Sequence, residues 1–165
     1  MKHFEFLEKK IVDLEQAGRL VAAWRVNADR IVFTNGCFDL LHRGHIHLLA
    51  EAKDLGDRII VGLNSDASVR RLKGPNRPVQ DQQTRALLLA ACCWVDAVVI
   101  FDEDTPLKLI QTIQPDVLVK GGDWPADRIV GAEVVQANGG QVVSLPFLDG
   151  FSTSAIIERI MQGAS

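Results

Sequence analysis

The sequence contains few cysteines, and their positions exclude a protein held together by disulfides. Cys37, Cys92 and Cys93 are the three in 165 residues. An odd number, with two adjacent in a helix-like stretch, does not form a disulfide framework. The chain also lacks Cys-X-X-Cys pairs and the Cys/His spacings typical of zinc ligands. We therefore expect a reduced, cytoplasmic setting and no metal site built from these side chains.

Long apolar runs and an excess of basic residues are missing as well. The longest apolar stretch, residues 86–95, is far shorter than the roughly 20 residues that span a bilayer. The N-terminus has no apolar signal core. The formal net charge of −3 provides no general basic surface for nucleic acid or anionic lipid. We expect neither a nucleic-acid nor a membrane partner.

Two hydrophobic patterns alternate along the chain. The length of 165 residues, with 47% hydrophobic and 24% charged residues, suits one domain with a full core. Short Val/Ile-rich runs typical of buried strands alternate with stretches of helical spacing. The strand-like runs are residues 31–34, 58–63, 97–101, 116–119 and 141–145, and the helix-like stretches are residues 44–55, 65–72, 81–93, 105–113, 131–138 and 152–161.

This alternation predicts an α/β fold, a Rossmann-like doubly wound parallel sheet of five strands covered by helices on both faces. We expect the strand order 3-2-1-4-5. Residues 4–24 have helical spacing that Gly18 interrupts, which indicates one kinked helix or two short ones. We therefore predict an N-terminal helical extension, residues 1–28, and a single globular domain, residues 29–165.

The most informative feature is a pair of histidines around one glycine, where the first strand hands over to a helix. His42, Gly44 and His45 follow the apolar run 30–33 and precede a stretch of helical spacing. A helix N-terminus attracts anions through its unpaired N–H groups and its dipole, and a glycine allows close backbone approach. The alternative is an ordinary loop histidine and a polar helix-start residue. The pair, the glycine and the junction together favour a phosphate-handling enzyme.

A basic, irregular loop follows the second predicted βα unit. Two prolines and a glycine keep residues 73–80 from forming a helix or strand, and such loops often cover a ligand. Lys73 and Arg77 are suited to the outer phosphates of a nucleotide, and the alternative is a solvated surface loop. Arg85, on an otherwise apolar helix, either reaches the ligand or is solvated.

Two further loops belong to the same predicted site. In open α/β sheets the ligand lies beyond the carboxyl ends of the strands, where the strand order reverses. Lys120-Gly121-Gly122 follows the fourth strand and offers backbone N–H groups, while Asp123 is suited to a sugar hydroxyl or Mg²⁺; the alternative is a tight turn. Ser152 begins the last helix, either near a phosphate or as an ordinary N-cap.

Two separated motifs resemble one known family. Residues 36–45, Gly-Cys-Phe-Asp-Leu-Leu-His-Arg-Gly-His, resemble the G-x-F-D-x-x-H-x-G-H segment of the cytidylyltransferase-like nucleotidyltransferases. Residues 151–154, Phe-Ser-Thr-Ser, resemble the family's I-S-[ST]-[ST] segment, with Phe in place of the usual Ile or Tyr. The resemblance runs from about residue 30 to residue 160. Because two motifs match in order, it is far more specific than a lone glycine pattern.

Within that superfamily, several stretches are similar to the heptose-1-phosphate adenylyltransferases. They are residues 32–39, 62–66, 73–74, 77–78, 120–124 and 148–154. Glycerol-3-phosphate-type cytidylyltransferases are also similar, but they carry Arg-Thr-Glu-Gly where this chain has Phe-Leu-Asp-Gly at 147–150. Many heptose enzymes are fused to a sugar kinase; because these 165 residues have no room for one, we expect the stand-alone form.

The resemblance implies transfer of AMP from ATP to a heptose 1-phosphate, giving ADP-heptose and pyrophosphate for lipopolysaccharide core or a related glycan. Mg²⁺ is expected with the nucleotide, and a homodimer or larger homo-oligomer is expected from relatives. The alternatives are a glycerol-3-phosphate-type cytidylyltransferase and a catalytically silent nucleotide-binding module.

The same resemblance implies three sets of site residues. The catalytic residues would be His42, His45 and Lys73. The nucleotide-binding residues would be Thr34, Asn35, Gly36, Cys37, Phe38, Gly44, Lys120, Gly121, Gly122, Ser152, Thr153 and Ser154. The substrate-binding residues would be Asp39, Asn64, Arg77, Arg85, Asp123 and Trp124. No metal ligand is assigned to the protein.

Overall fold

The structure, a computed structural model, describes residues 2–163. Within them, six parallel strands form one sheet in the order β1-β4-β3-β2-β5-β6. The strands are β1 (Ile11–Val12), β2 (Ile31–Gly36), β3 (Arg58–Asn64), β4 (Ala97–Phe101), β5 (Val117–Gly121) and β6 (Gln141–Leu145). The helices are α1 (Lys2–Glu8), α2 (Leu14–Val26), α3 (Arg43–Lys53), α4 (Asp66–Lys73), α5 (Gln82–Ala91), α6 (Leu107–Ile113), α7 (Ala132–Ala137) and α8 (Thr153–Met161), with a short 3₁₀ turn at Ala126–Arg128.

Alternation along the strands builds a hydrophobic core on each face of the sheet. In β2, Ile31 and Phe33 belong to the cluster under α2, α6 and α7, whereas Val32 belongs to the cluster under α3 and α5. All three side chains are fully buried. Successive strand residues point to opposite faces, so a sheet covered on both faces needs continuous apolar runs. The predicted doubly wound architecture is therefore confirmed.

The sheet has one strand more than the five predicted. The extra strand, β1, lies in the N-terminal segment and pairs with β4, so this segment is not purely helical. Two β-branched residues, Ile11 and Val12, separate α1 from α2, and Asp13 caps α2 with a capping box. The other five strands have the predicted relative order. The division at residue 28 stays a prediction, and residues 1, 164 and 165 lie outside the described part of the chain.

The strand order places the predicted loops along one edge of the sheet. Strand β2 lies at the centre, with β3 on one side and β5 on the other. Thr34 pairs with Val119, so Lys120 follows beside Asn35. The carboxyl ends of β2 and β5 thus flank the point where the strand order reverses, which is where open α/β sheets bind ligands.

Among the described residues, no helix is long and apolar enough to cross a membrane.

Candidate functional site: a histidine pair at a helix N-terminus

The two histidines form the first turn of α3 and hydrogen-bond to its backbone. His42 is the N-cap, and its Nδ1 accepts from the Gly44 N–H at 3.1 Å. In return, His45 Nδ1 accepts from the His42 N–H at 3.4 Å. The rings stack with centroids 3.8 Å apart and an interplanar angle of 28°. An Nδ1 that accepts cannot carry a proton, so each neutral imidazole carries its proton on Nε2.

The surroundings of the pair keep both rings uncharged at neutral pH. Burial lowers the pKa of His42. Burial, with a smaller contribution from His42, lowers the pKa of His45 to about 4, against the opposing effect of Asp39. Phe38, itself 4% exposed, lies against His45 with ring centroids 5.2 Å apart. The two Nε2–H groups, directed away from the helix backbone, are thus neutral hydrogen-bond donors at a helix N-terminus.

The lowered pKa of His45 predicts a stability that depends on pH. The ordinary value near 6.5 applies to the unfolded chain, which therefore takes up a proton before the folded chain as pH falls. Folding stability should decrease as pH falls from about 6.5 to about 4. Urea unfolding at the two ends of this pH range measures the free energy of unfolding. Between them, this free energy should decrease less in His45→Gln than in the unsubstituted protein. Equal decreases would show that His45 does not titrate in this way.

A second helix N-terminus lies against the first. Thr153, the first residue of α8, donates its hydroxyl to the Asp39 carbonyl at 2.7 Å, and Ser152 caps α8 by accepting from the Ala155 N–H. A Cβ added to Gly44 would lie 3.0 Å from the His42 ring and 3.5 Å from Phe151 Cβ. The structure therefore brings the two motif segments together, and a Cβ at position 44 would press against the His42 ring.

Two lysine side chains, Lys73 and Lys120, lie near this edge of the sheet. Burial lowers the pKa of the Lys120 amine, and the charge of Lys73 lowers it further. Lys73 also influences Cys37, whose thiol pKa is raised by burial. In the part of the chain that the structure describes, neither ammonium group has a hydrogen-bond or ion-pair partner. Two cations close enough to influence each other, with no acidic partner, suit a polyanion such as a triphosphate.

Arg85, predicted as a ligand contact, is instead a structural residue of the site. Its side chain is completely buried, and its guanidinium donates to three backbone carbonyls, of Cys37, Asn64 and Gln80, and to the Asp66 carboxylate at 2.7 Å. A buried guanidinium is stable only when its donors are satisfied. The residue therefore joins the ends of β2 and β3 to the loop before α5 and leaves no exposed group for a ligand.

Removing this guanidinium is expected to destabilise the fold. Arg85→Ala leaves three carbonyls and the Asp66 carboxylate without their donor, which should lower the free energy of unfolding by about 3 kcal/mol. Arg71→Ala is the control, since Arg71 is 46% exposed and pairs with Asp104 at the surface; it should cost less than about 1 kcal/mol. Urea denaturation measures both. Equal, small losses would contradict the structural role.

Several other predicted site residues lie at this edge with little or no exposure. Thr34 is completely buried, and its hydroxyl has no hydrogen-bond partner. Asn64 is 4% exposed and donates to the Ser68 hydroxyl. Asp39 is 1% exposed, and its carboxylate accepts three hydrogen bonds from the 74–80 loop. The side chains of Asn64 and Asp39, both predicted to bind substrate, thus hydrogen-bond within the protein in this structure.

The Gly-Gly turn after β5 carries two exposed aromatic rings. The Trp124 indole donates to the Gly121 carbonyl at 3.1 Å, and Phe147 lies over both glycines. A Cβ on Gly122 would lie 2.8 Å from the indole nitrogen and 2.9 Å from Phe147. Trp124 is 51% and Phe147 70% exposed, and Asp123 is exposed beside them. The turn thus presents flat apolar surface next to the cationic edge.

An open groove of about 630 Å³ lies at the ends of β3 and β4. Asp66, which lines the groove, is also the partner of Arg85. Asp66 therefore links the wall of this groove to the buried guanidinium. Polar side chains dominate the lining, including Ser65, Arg70, Asp81, Gln82 and Asp102.

The donor set of the site suits phosphate better than a metal ion. Among residues 2–163, no group of three or more His, Cys, Asp or Glu side chains could hold a metal. Asp39, the carboxylate nearest the histidines in sequence, is already occupied by three donors. Mg²⁺ in nucleotide sites is held largely by phosphate oxygens and water, so the protein side chains here form no cage of their own for it.

Sequence reasoning missed the residues that hold the site together through distant contacts. Asp66 was not singled out, although it pairs with Arg85 nineteen positions away. The Val79 and Gln80 amides bind the Asp39 carboxylate from forty and forty-one positions away. A backbone amide carries no sequence signal, so only the fold reveals these partners.

Comparison with known proteins identifies one family. The sequence pattern of the family described as cytidylyltransferase-like matches residues 33–159. The chain is 55% identical over 157 residues to the "Bifunctional protein HldE" of Geotalea uraniireducens, covering 95% of this chain and 32% of that protein. It is 57% identical over 152 residues to the protein of the same name from Koribacter versatilis, covering 92% and 31%. The chain thus spans about a third of the length of these relatives.

Solved structures share the fold. The lipopolysaccharide core biosynthesis protein from Thermoplasma volcanium aligns with a TM-score of 0.58 at 30% identity, over 73% of this chain and 97% of that chain. The pantoate-beta-alanine ligase of Francisella tularensis aligns with a TM-score of 0.59 at 16% identity, over 93% and 79%, and indicates the fold alone. Because the family pattern covers more than half of the chain, and because the two motifs meet at the starts of α3 and α8, this protein belongs to the cytidylyltransferase-like family.

Proposed function

We propose that this chain is a nucleotidyltransferase that transfers AMP from ATP to a heptose 1-phosphate. The observation that carries the proposal is the stacked pair His42 and His45, whose Nδ1 atoms bind the helix backbone and leave two neutral Nε2–H donors. Family membership and the unpaired ammonium groups of Lys73 and Lys120 support it. The alternative is a catalytically silent nucleotide-binding module, which would not need both the histidine pair and the two lysines.

The proposed reaction is an in-line displacement at the α-phosphorus of ATP. A phosphate oxygen of the sugar phosphate forms the new O–P bond, and the bond from the α-phosphorus to the bridging oxygen of pyrophosphate breaks. The electron pair leaves with the pyrophosphate. Because the attacking phosphate is already ionised near neutral pH, no side chain has to remove a proton. Catalysis then consists of positioning and of stabilising the negative charge on the transferring group.

Each part of the site has a role in this scheme. The imidazole donors of His42 and His45 would bind oxygens of the α- and β-phosphates, and neutral imidazoles bind them without the cost of charging a buried ring. Lys73, with Arg77 and Lys120, would neutralise the departing pyrophosphate. The start of α8, with Ser152 and Thr153, would bind further phosphate oxygens. Mg²⁺, carried by the phosphates of ATP, would supply additional charge neutralisation.

The choice of substrates rests on the sequence resemblance. Residues 120–124 and 148–154 are similar to the heptose-1-phosphate adenylyltransferases. The structural relative from Thermoplasma volcanium, described as a lipopolysaccharide core biosynthesis protein, is consistent with a glycan precursor. Phe147 stands where glycerol-phosphate cytidylyltransferases carry Arg, and this aromatic ring is 70% exposed beside the Gly-Gly turn. These observations favour ATP and a heptose phosphate over CTP and glycerol phosphate.

A pyrophosphate-release screen tests the proposal. ATP and CTP are each combined with heptose 1-phosphate and with glycerol 3-phosphate, using the purified chain and Mg²⁺. Release with ATP and heptose 1-phosphate well above the other three pairs is the expected result. A preference for CTP and glycerol 3-phosphate would instead support the cytidylyltransferase hypothesis. No pyrophosphate release from any pair would favour a catalytically silent module. A homodimer or larger homo-oligomer is also proposed, and light scattering at assay concentration tests it.

A further inference from the structure

Asp39 lies at the junction of the three segments that form the site. It follows the end of β2 and is 1% exposed. Its carboxylate accepts from Arg77 Nε and the Val79 N–H, both at 2.8 Å, and from the Gln80 N–H at 3.0 Å. All three donors belong to the loop that follows Lys73. The buried carboxylate therefore contacts the protein through both of its oxygens.

The carboxylate is ionised in this setting. Burial alone would raise the pKa of Asp39, but the hydrogen bonds from the Val79 and Gln80 amides and from Arg77 outweigh burial and lower it. All of these donors come from one loop. The buried charge holds that loop in place, because the loss of any one donor would leave the charge less well compensated. The backbone carbonyl of the same residue accepts from the Thr153 hydroxyl at 2.7 Å, which ties in the start of α8.

The contact also orients Arg77. Only its Nε is used by Asp39, and in the described part of the chain the two terminal nitrogens of Arg77 have no hydrogen bond or ion pair. The side chain is 18% exposed. A guanidinium held by one nitrogen, with the other two free at the rim of a cationic site, is positioned to bind a phosphate group in a fixed direction.

We infer that Asp39 is a positioning residue, which clasps the 74–80 loop against the histidine segment and aims Arg77 at the phosphates of the bound nucleotide. The inference rests on the proposed function for the identity of that nucleotide. It gives Asp39, which the family resemblance lists as substrate-binding, a role that acts through Arg77. The clasp does not need the heptose acceptor, so it is testable with ATP and pyrophosphate alone.

The central experiment is a double-substitution cycle measured by calorimetric binding of ATP and pyrophosphate. Asp39→Asn removes the charge and puts an N–H₂ group in place of one acceptor oxygen, so at least one of the three bonds is lost. We expect it to weaken binding about tenfold, and to weaken it by less than about threefold when Arg77 is already Ala, because the two residues act as one unit. Effects that multiply independently would overturn the inference.

Asp96→Asn is the matched control at the opposite edge of the sheet. Asp96 also accepts from an arginine, Arg58 at 3.2 Å, and from a backbone amide, that of Ile59 at 2.8 Å. Its substitution should lower the melting temperature while leaving the affinities for ATP and pyrophosphate unchanged, with or without Arg77→Ala. If Asp39→Asn behaved like Asp96→Asn, its role would be stability alone and the inference would fail.

Hydrogen exchange of the unsubstituted protein tests the clasp even if Asp39→Asn does not fold. Val79 lies in an irregular loop and is 55% exposed, so its amide would exchange freely without a partner. The clasp predicts that the Val79 and Gln80 amides are protected at neutral pH in the absence of nucleotide. Free exchange of both would overturn the inference. Protection combined with no AMP transfer to heptose 1-phosphate would instead reject only the proposed function.

Discussion

Replacing His45 with alanine is expected to lower kcat by about 10²–10³-fold, the usual loss when one transition-state donor is removed. The substitution removes an Nε2–H group held in place by the bond from the His42 N–H to Nδ1 and by stacking on the His42 ring. It also exposes part of Phe38, which packs against His45. Steady-state kinetics with saturating ATP and acceptor measures the effect, and circular dichroism checks the fold.

His47→Ala is the appropriate control for His45→Ala. His47 lies on the same helix, but its ring is 44% exposed and its Nδ1 lies 3.3 Å from a carboxylate oxygen of Glu51, away from the stacked pair. It should leave kcat within about twofold of the unsubstituted value. Near-normal turnover in His45→Ala, or an equal loss in His47→Ala, would show that the imidazole pair does not stabilise the reaction.

Replacing Lys73 with alanine is expected to slow turnover about 10²-fold and to raise the KM for ATP. Its ammonium lies at the end of α4, close enough to Cys37 and Lys120 to influence their pKa values, and it has no ion-pair partner among the described residues. A cation placed against the departing pyrophosphate stabilises charge that grows in the transition state, so kcat should fall as well as affinity.

The comparison for Lys73→Ala is Lys108→Ala. Lys108 is 67% exposed and pairs with Glu103 at 3.5 Å on the surface of the molecule, so its loss should change neither kcat nor the KM for ATP. A change in KM alone at Lys73 would mean that the loop binds the nucleotide but contributes nothing specific to the transition state. No change in either constant would show that Lys73 is a bystander.

Local patterns were enough to predict the main architecture. Five strands were recognised because their Val/Ile runs are continuous, as a sheet buried on both faces requires. The start of α3 is predictable because His42, Gly44 and His45 lie within four residues and come shortly after a strand-like run. Strand β1 was missed because two residues, Ile11 and Val12, are too short a run to show any periodicity, and only pairing with β4 makes them a strand.

Long-range contacts explain where prediction from sequence stopped. Arg85 and Asp39 lie close to the predicted site, but sequence cannot tell whether a charged side chain faces a ligand or a buried protein partner. That choice depends on carbonyl and amide groups such as those of Cys37 and Val79, which any residue type would supply. The interaction of Thr153 with Asp39 joins segments 114 positions apart and depends on the strand order.

Phosphorus NMR of the complete reaction tests the central claim most directly. ATP, Mg²⁺ and heptose 1-phosphate are incubated with the enzyme, and the phosphorus products are followed with time. Attack at the α-phosphorus predicts equal amounts of pyrophosphate and of a sugar-linked diphosphate with two coupled resonances, both strongly reduced in His45→Ala. Formation of ADP with a doubly phosphorylated sugar, or of orthophosphate alone, would contradict nucleotidyl transfer at this site.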